Sequence, residues 1–236
     1  MKEKLKQYEY KDFGSQSFKK TEIKALEEKL TEAERENASL RTENKNQKDI
    51  IEKLNEELEN DYLTGIYNKR HFTKKSEKIV SIISDPESKE RREGEIIPVA
   101  VSFAIADIDK FKKINDEKGH LEGDRILREV ARVFKENTRE TDTVCRWGGE
   151  EIAMIFFNAD LAEAFKKAEE LRKIVQKEAG VTVSIGVAEY KKNLSFDEIL
   201  NQSDQALYLA KNEGRNRVRT YEQVREKKSD NQDKLE

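Results

Sequence analysis

One cysteine, two histidines, two prolines and one tryptophan are all that the 236 residues contain of those types. The single thiol, Cys145, closes no intramolecular disulfide and builds no multi-cysteine zinc site. His71 and His120 are too few for a histidine-rich metal centre. Two prolines and ten glycines exclude collagen and Pro/Gly-rich low complexity. No apolar run nears the roughly 18 residues of a membrane span. The start, Met-Lys-Glu-Lys-Leu-Lys, has no apolar stretch behind it for secretion. A surplus of one charge is missing too: 46 basic residues face 49 acidic ones, a net of -3. That balance gives no electrostatic basis for binding duplex nucleic acid or an anionic membrane. It leaves room for a small anionic ligand held by a few local cations. The expectation is a soluble, cytoplasmic protein with no nucleic-acid and no membrane partner.

Charge itself is abundant. Charged residues make up 40% and hydrophobic ones 35%, against about 25% and about 45–50% in ordinary globular domains. Part of the chain therefore lacks a globular core, and the scarcity of proline and glycine makes that part helical. Residues 1–18 mix lysines with Tyr8, Tyr10, Phe13 and Phe18 and give no clear structural signal. Residues 19–60 contain neither proline nor glycine and carry a heptad seam. Its a positions are Ile23, Leu30, Asn37, Asn44, Ile51 and Leu58; its d positions are Leu26, Ala33, Leu40, Gln47 and Leu54. So narrow a stripe on a lone helix is marginal, which implies a partner helix. Asparagines at a positions favour two parallel strands in register, because they bond each other across the seam. A homodimer through this coiled coil is the expectation.

From Asp61 the pattern changes to alternating helices and strands. Helices are predicted at 68–83, 110–117, 121–137, 160–178 and 195–212, the last opened by a Ser195/Glu198 capping box. Strands are predicted at 96–106, 143–147, 151–157, 181–190 and 215–221, with a charged loop at 84–95. Gly148-Gly149-Glu150 between two apolar runs reads as a hairpin. The polar tail at 222–236 is expected to fray. This order predicts an α+β sandwich with a mostly antiparallel sheet over residues 61–221, large enough for one core.

Acidic residues gather where strands end: Asp107-Ile108-Asp109 after the apolar strand and Glu150-Glu151 at the hairpin. If the hairpin lies beside that strand, Glu150 comes near Asp107. Adjacent carboxylates repel unless a cation lies between them, and a hard divalent ion with open sites serves phosphoryl or nucleotidyl transfer. Taken singly, each motif is equally an ordinary strand end or a solvated turn. Lys112, Lys211 and Arg215 are either phosphate ligands or surface charge.

Several blocks in fixed order resolve the choice. Residues 61–70, Asp-Tyr-Leu-Thr-Gly-Ile-Tyr-Asn-Lys-Arg, resemble the D-x-L-T-G-L-x-N-R-R opening of the GGDEF, or diguanylate cyclase, family. Then come Asp107-Ile108-Asp109-Lys110-Phe111-Lys112, Asn115-Asp116, Gly119-His120, Gly123-Asp124 and the signature Arg146-Trp147-Gly148-Gly149-Glu150-Glu151-Ile152. Ser184-Ile185-Gly186, Asp204-Gln205-Ala206-Leu207-Tyr208, Ala210-Lys211 and Gly214-Arg215-Asn216 follow. The resemblance covers about residues 61–220; Ile152 stands where the family usually has Phe, an apolar exchange that touches no metal ligand.

The resemblance implies a palm-like sandwich related to nucleotidyl cyclases and polymerases. It implies condensation of two GTP into cyclic di-GMP with release of pyrophosphate. Asp107, the Ile108 carbonyl and Glu150 would hold Mg²⁺ or Mn²⁺. Glu151 would lie beside the ribose hydroxyl or the metals, with no general-base role assigned. Lys112, Lys211 and Arg215 would bind the β- and γ-phosphates, joined by the Phe111 and Lys112 backbone amides at a helix start. Asn115 and Asp124 would read guanine, whose N1–H and N2–H₂ donors a carboxylate accepts. Adenine would face that carboxylate with a lone pair, so GTP is expected rather than ATP. His120 would be a packing residue at a helix start. Arg139-Glu140-Thr141-Asp142, with five residues between it and Gly148, matches the family's R-x-x-D inhibitory product site. Each domain binds one GTP, so the chemistry also calls for a dimer. Two other readings compete: a domain that binds nucleotide without catalysis, and a coiled-coil adaptor with a passive globular part.

Overall fold

The computed structural model describes residues 16–85 and 97–232. The aromatic-bearing start, the loop expected at 84–95 and the first residue of the strand expected at 96–106 lie wholly or partly outside the described residues.

The chain divides into two compact units, Met1–Glu56 and Glu57–Glu236. Helix α1, Gln16–Glu59, makes up the described part of the first and enters the second. Its seam residues Leu26, Leu40, Ile51, Leu54 and Leu58 are 43% to 61% exposed.

The second unit runs β1 (Tyr67–Asn68), α2 (Lys69–Ser84), β2 (Val101–Ile108), α3 (Phe111–Lys118), α4 (His120–Glu136), β3 (Thr143–Arg146) and β4 (Glu151–Phe157). It continues with α5 (Leu161–Glu178), β5 (Val183–Glu189), α6 (Phe196–Asn212), β6 (Val218–Thr220) and α7 (Tyr221–Gln232). The strands form one sheet in the order β1-β3-β4-β2-β5-β6. The β2–β4, β2–β5 and β3–β4 pairs are antiparallel; β1–β3 and β5–β6, at the two edges, are parallel. The expected α+β sandwich with a mostly antiparallel sheet is thus the architecture found.

Strand alternation divides the core between two faces. Ala104, Ala106, Ile108, Ile152, Met154 and Phe156 join Val130 and Phe134 of α4 and Ala168 and Leu171 of α5. Phe103, Ala153 and Ile155 join Phe72 of α2 and Phe196 and Ile199 of α6. With helices on both faces, β2 is buried along its whole length, which is why its sequence is an unbroken apolar run.

Four elements differ from expectation. β6 keeps only Val218–Thr220 of the strand expected at 215–221, because Arg215 and Asn216 take positive φ and form a loop. β1 is two residues long, too short to show a period, and it exists only through its parallel register with β3. β2 extends through Ile108, so Asp107 is a strand residue rather than the first of a loop. The tail expected to fray forms α7 as far as Gln232, the last described residue. Thr220 Oγ1 accepts from Gln223 N while Gln223 Oε1 accepts from Thr220 N. Val224 is buried, and Lys227 pairs with Glu213.

Gly186 on β5 decides how closely α6 approaches the sheet. A Cβ there would stand 2.1 Å from both the Leu207 amide nitrogen and the Ser203 carbonyl oxygen. Ser203 Oγ also donates to the Phe103 carbonyl at 3.2 Å. Gly186→Ala forces helix backbone off strand backbone, and overpacking of this kind costs about 1–3 kcal/mol. Urea unfolding of that variant is expected to give an unfolding free energy lower by that amount, seen as a lower midpoint at unchanged slope.

Candidate active site

The antiparallel register of β2 and β4 sets Asp107 directly opposite Glu151, and Glu150 is the residue before it in the turn. On the other side of β2, α6 brings Lys211 in, with Nζ 2.7 Å from Asp107 Oδ2. Asp107 is 8% exposed. Burial is the main force raising its carboxyl above the usual carboxylate range. Lys211 opposes this, while the charges of Glu150 and Asp109 add to it. Glu151 is raised as well, first by burial and next by Asp107; Lys211 opposes, and Asp204 and Glu150 add further. Buried Asp107 and half-buried Glu151 thus share Lys211 as their counter-charge, in direct contact with Asp107. Among the described residues, no set of three or more carboxylate, imidazole or thiolate side chains is arranged to hold a metal ion.

The turn that carries Glu150 is tied down from outside. Trp147 N donates to Glu151 O at 2.9 Å, and Arg146 Nε and Nη2 both donate to Gly149 O, at 3.1 and 3.0 Å. Arg146 Nη1 reaches Asp61 Oδ1 at 3.2 Å. Asp61 in turn accepts from Thr64 N at 3.0 Å and Thr64 Oγ1 at 2.7 Å. One guanidinium therefore joins the opening motif to the signature hairpin. The two glycines differ: a Cβ on Gly148 would lie 3.0 Å from Glu151 Oε2, whereas Gly149 faces open space.

Directly beyond Ile108, Lys110 takes a left-handed conformation, and α3 opens at Phe111 with no side-chain cap. Phe111 is buried and Lys112 exposed. Asn115, farther along α3, meets the start of α4. Its Oδ1 is buried without a hydrogen-bond partner, and a Cβ on Gly123 would stand 1.9 Å from it. Asp124 is the next residue and half-buried. His120 is exposed at the first position of α4, so it is not the packing residue expected there. Arg215, φ 66°, lies in the loop between α6 and β6, exposed.

Arg139 and Asp142 stand apart from this group. Asp142 Oδ2 accepts from Arg139 N and Oδ1 from Phe157 N, both at 3.1 Å, which puts the pair at the far end of β4 from Glu151. Seven strand residues separate the two ends, about 20 Å. Arg139, Asp142, Phe156, Glu163, Lys166 and Lys167 line a hollow of about 280 Å³.

The motif letters alone do not show the ion pair between Arg146 and Asp61. Asp204, whose charge raises Glu151, stands seven residues before Lys211 on one face of α6, a spacing that the heptad-like repeat of a helix makes visible.

The family model described as "Diguanylate cyclase, GGDEF domain" matches residues 58–217. The chain belongs to that family. It is 38% identical over 181 residues to diguanylate cyclase DgcM of Escherichia coli (strain K12), an alignment covering 73% of this chain and 40% of that protein. It is 39% identical over 168 residues to diguanylate cyclase A of Treponema denticola, covering 67% of this chain and 43% of that protein. The GGDEF chain thus spans about two-fifths of the length of these curated relatives. In structure it is similar to the coiled coil and GGDEF domain of DgcB from Caulobacter crescentus, in complex with c-di-GMP. The TM-score is 0.67 with 27% identity, covering 83% of this chain and 99% of that one. The DgcB GGDEF domain alone, also with c-di-GMP, gives a TM-score of 0.62 with 31% identity, covering 70% and 96%.

The Asp61–Arg146 pair makes an acid-dependent contribution. Burial works to raise the Asp61 carboxyl, but the Thr64 hydrogen bonds and the Arg146 charge outweigh it and hold it below its ordinary 3.8. A depressed folded value means stability that is present above the unfolded value and lost as pH falls through the folded one. Arg146→Ala is therefore expected to cost about 1–3 kcal/mol at pH 7. The cost shrinks once the pH falls below about 3.8. Thermal melts of both proteins across that range check it.

Proposed function

We propose that this chain is a diguanylate cyclase that condenses two GTP into cyclic di-GMP and releases pyrophosphate. The observation that carries the proposal is Asp107 facing Glu151 across β2 and β4, buried, raised, and countered by Lys211. Acids in that state fit a divalent cation, which relieves both the burial and the mutual repulsion. Oxygen donors suit Mg²⁺ or Mn²⁺, and two side-chain carboxylates with a carbonyl leave positions for phosphate and water. Asp107, the Ile108 carbonyl and Glu150 would hold it, and when bound it supplies Lewis-acid polarisation of the phosphate oxygens.

The remaining roles belong to this chain's own groups. Lys211, Arg215 and Lys112 bind the β- and γ-phosphates and neutralise the leaving pyrophosphate. The first amides of α3, which have no side-chain cap, add donors to the phosphates. Glu151 stands beside the ribose hydroxyl. Asn115 and Asp124 read guanine; the unpartnered Asn115 Oδ1 has an acceptor to offer. The 3′-hydroxyl of each nucleotide attacks the α-phosphate of the other, so two domains must face each other. The exposed seam of α1 pairs two chains in parallel and raises the effective concentration of the second domain. Arg139 and Asp142 form the inhibitory site: the guanidinium forks to and stacks on a product guanine while the carboxylate takes its donors. The location is the cytoplasm, where GTP is.

Three outcomes are expected. Purified protein with GTP and Mg²⁺ yields cyclic di-GMP by chromatography, whereas Glu150→Ala, or chelation of the metal, abolishes it. Product from neither, with a confirmed dimer, transfers the assignment to a nucleotide-binding module. Gly123→Ala pushes Asn115 aside and raises KM for GTP about tenfold, the worth of one good hydrogen bond at a buried site, with kcat changed less. Arg139→Ala removes inhibition by added cyclic di-GMP while initial rates stay near those of the parent.

A further inference from the structure

We infer that Asp109 is a positioning residue: it locks the backbone of the Arg215–Asn216 loop and so sets the Arg215 guanidinium at the phosphate end of the site. The inference rests on the cyclase reading above, in which Arg215 grips the β- and γ-phosphates.

Asp109 belongs to the acidic motif after β2, yet no role in the reaction falls to it. Its carboxylate is 6% exposed and is met by neutral donors. Oδ1 accepts from Ser184 Oγ at 2.7 Å; Oδ2 accepts from Thr182 Oγ1 at 2.7 Å and from Asn216 N at 3.0 Å. Its own amide donates to Thr182 O at 2.9 Å. One side chain thus fastens three pieces that converge on the site: the end of β2 just past Asp107 and Ile108, the start of β5, and the loop between α6 and β6.

That loop needs fastening. Gly214, Arg215 and Asn216 have φ of 109°, 66° and 46° in succession. Glycine and asparagine adopt the left-handed region readily; arginine does so at a cost that its surroundings must offset. The loop is held at Arg215 by its amide bond to Ala210 O at 3.1 Å, and at Asn216 from two sides. Arg172 Nη1 donates to Asn216 Oδ1 at 2.6 Å, and Asp109 takes the Asn216 amide. The Asp109 bond is made to the backbone itself, so it fixes the peptide adjoining Arg215. Without it that peptide is free to leave the left-handed region, and the guanidinium swings with its Cα.

Asp109→Asn separates this role from metal ligation. With the amide oxygen at the Oδ2 position it still accepts from Thr182 and Asn216, and its NH₂ donates to Ser184 Oγ. A positioning role therefore survives the amide; a ligand role, which needs the charge, does not.

The experiment compares the full-length parent with Asp109→Ala, Asp109→Asn, Arg215→Ala and the double variant Asp109→Ala/Arg215→Ala. GTP and GMP each displace a fluorescent GTP, and folding is read by circular dichroism. Expected is a loss of about tenfold in GTP affinity for Asp109→Ala, the scale of a charge-assisted hydrogen bond. GMP, which lacks the β- and γ-phosphates, binds as in the parent, and Asp109→Asn stays within about twofold of it. In the Arg215→Ala background, Asp109→Ala adds less than about twofold, since both changes remove one interaction. Should Asp109→Ala not fold, Thr182→Val removes one of the bonds that orient the carboxylate, and a loss of about threefold confined to GTP is expected. Multiplying losses, equal weakening of GMP, an Asn variant as poor as the Ala variant, or unchanged GTP affinity each overturn the inference while the cyclase reading stands. A parent that binds neither nucleotide overturns that reading and the inference with it.

Discussion

The site depends on one ladder: β2 paired with β4 in the register that sets Asp107 against Glu151. Side chains alternate along a strand, so a slip of one residue would turn Asp107 and every apolar neighbour to the other face. Slippage is blocked because both faces of β2 are packed, Ala104 and Ala106 against α4 and α5, Phe103 against α2 and α6. The core therefore specifies the position of the acids to within a residue, and the acids contribute nothing to that core themselves. They sit where the ladder ends and water or a ligand begins.

The fold holds the cations of the motifs in different ways. Lys211 on α6 meets Asp107, and α6 approaches the sheet closely because β5 has Gly186 beneath it. The Arg146 guanidinium grips the hairpin carbonyl of Gly149 and the Asp61 carboxylate together. Arg215 lies in the loop after α6, on a backbone that Asp109 and Arg172 meet at Asn216. Cations held by backbone packing and by buried hydrogen bonds are pre-organised, so little ordering entropy is left to lose when an anion arrives. Burial raises the Asp107 and Glu151 carboxyls, and Lys211 is the cation that opposes it.

The long helix obeys a different logic. Its apolar residues lie in a stripe too narrow to build a core and too exposed to be indifferent to water. In the proposed cyclase, that stripe and the need for two facing nucleotides answer each other, because the coil holds two domains at an effective concentration that free diffusion does not reach.

Much of this was legible in the residues. Periodicity located most of the helices and strands of the sheet and the long first helix, and residue order located the capping box at Ser195, because these are local properties of the chain. The order of the acidic and glycine motifs named the family. Three things were out of reach of local pattern. β1, two residues long, is a strand only because β3 lies beside it. The tail becomes α7 because Val224 finds a buried place and Lys227 finds Glu213. Asp109 reads as one more acid in a motif, and only folding shows that it bonds a backbone amide 107 residues away. What the sequence by itself determined was which residue types alternate with which period, and hence the elements and the chemical kind of the site. Tertiary structure decided which carboxylate faces a cation and which is spent on the fold, because that depends on distances between segments far apart in the chain, which no local pattern encodes.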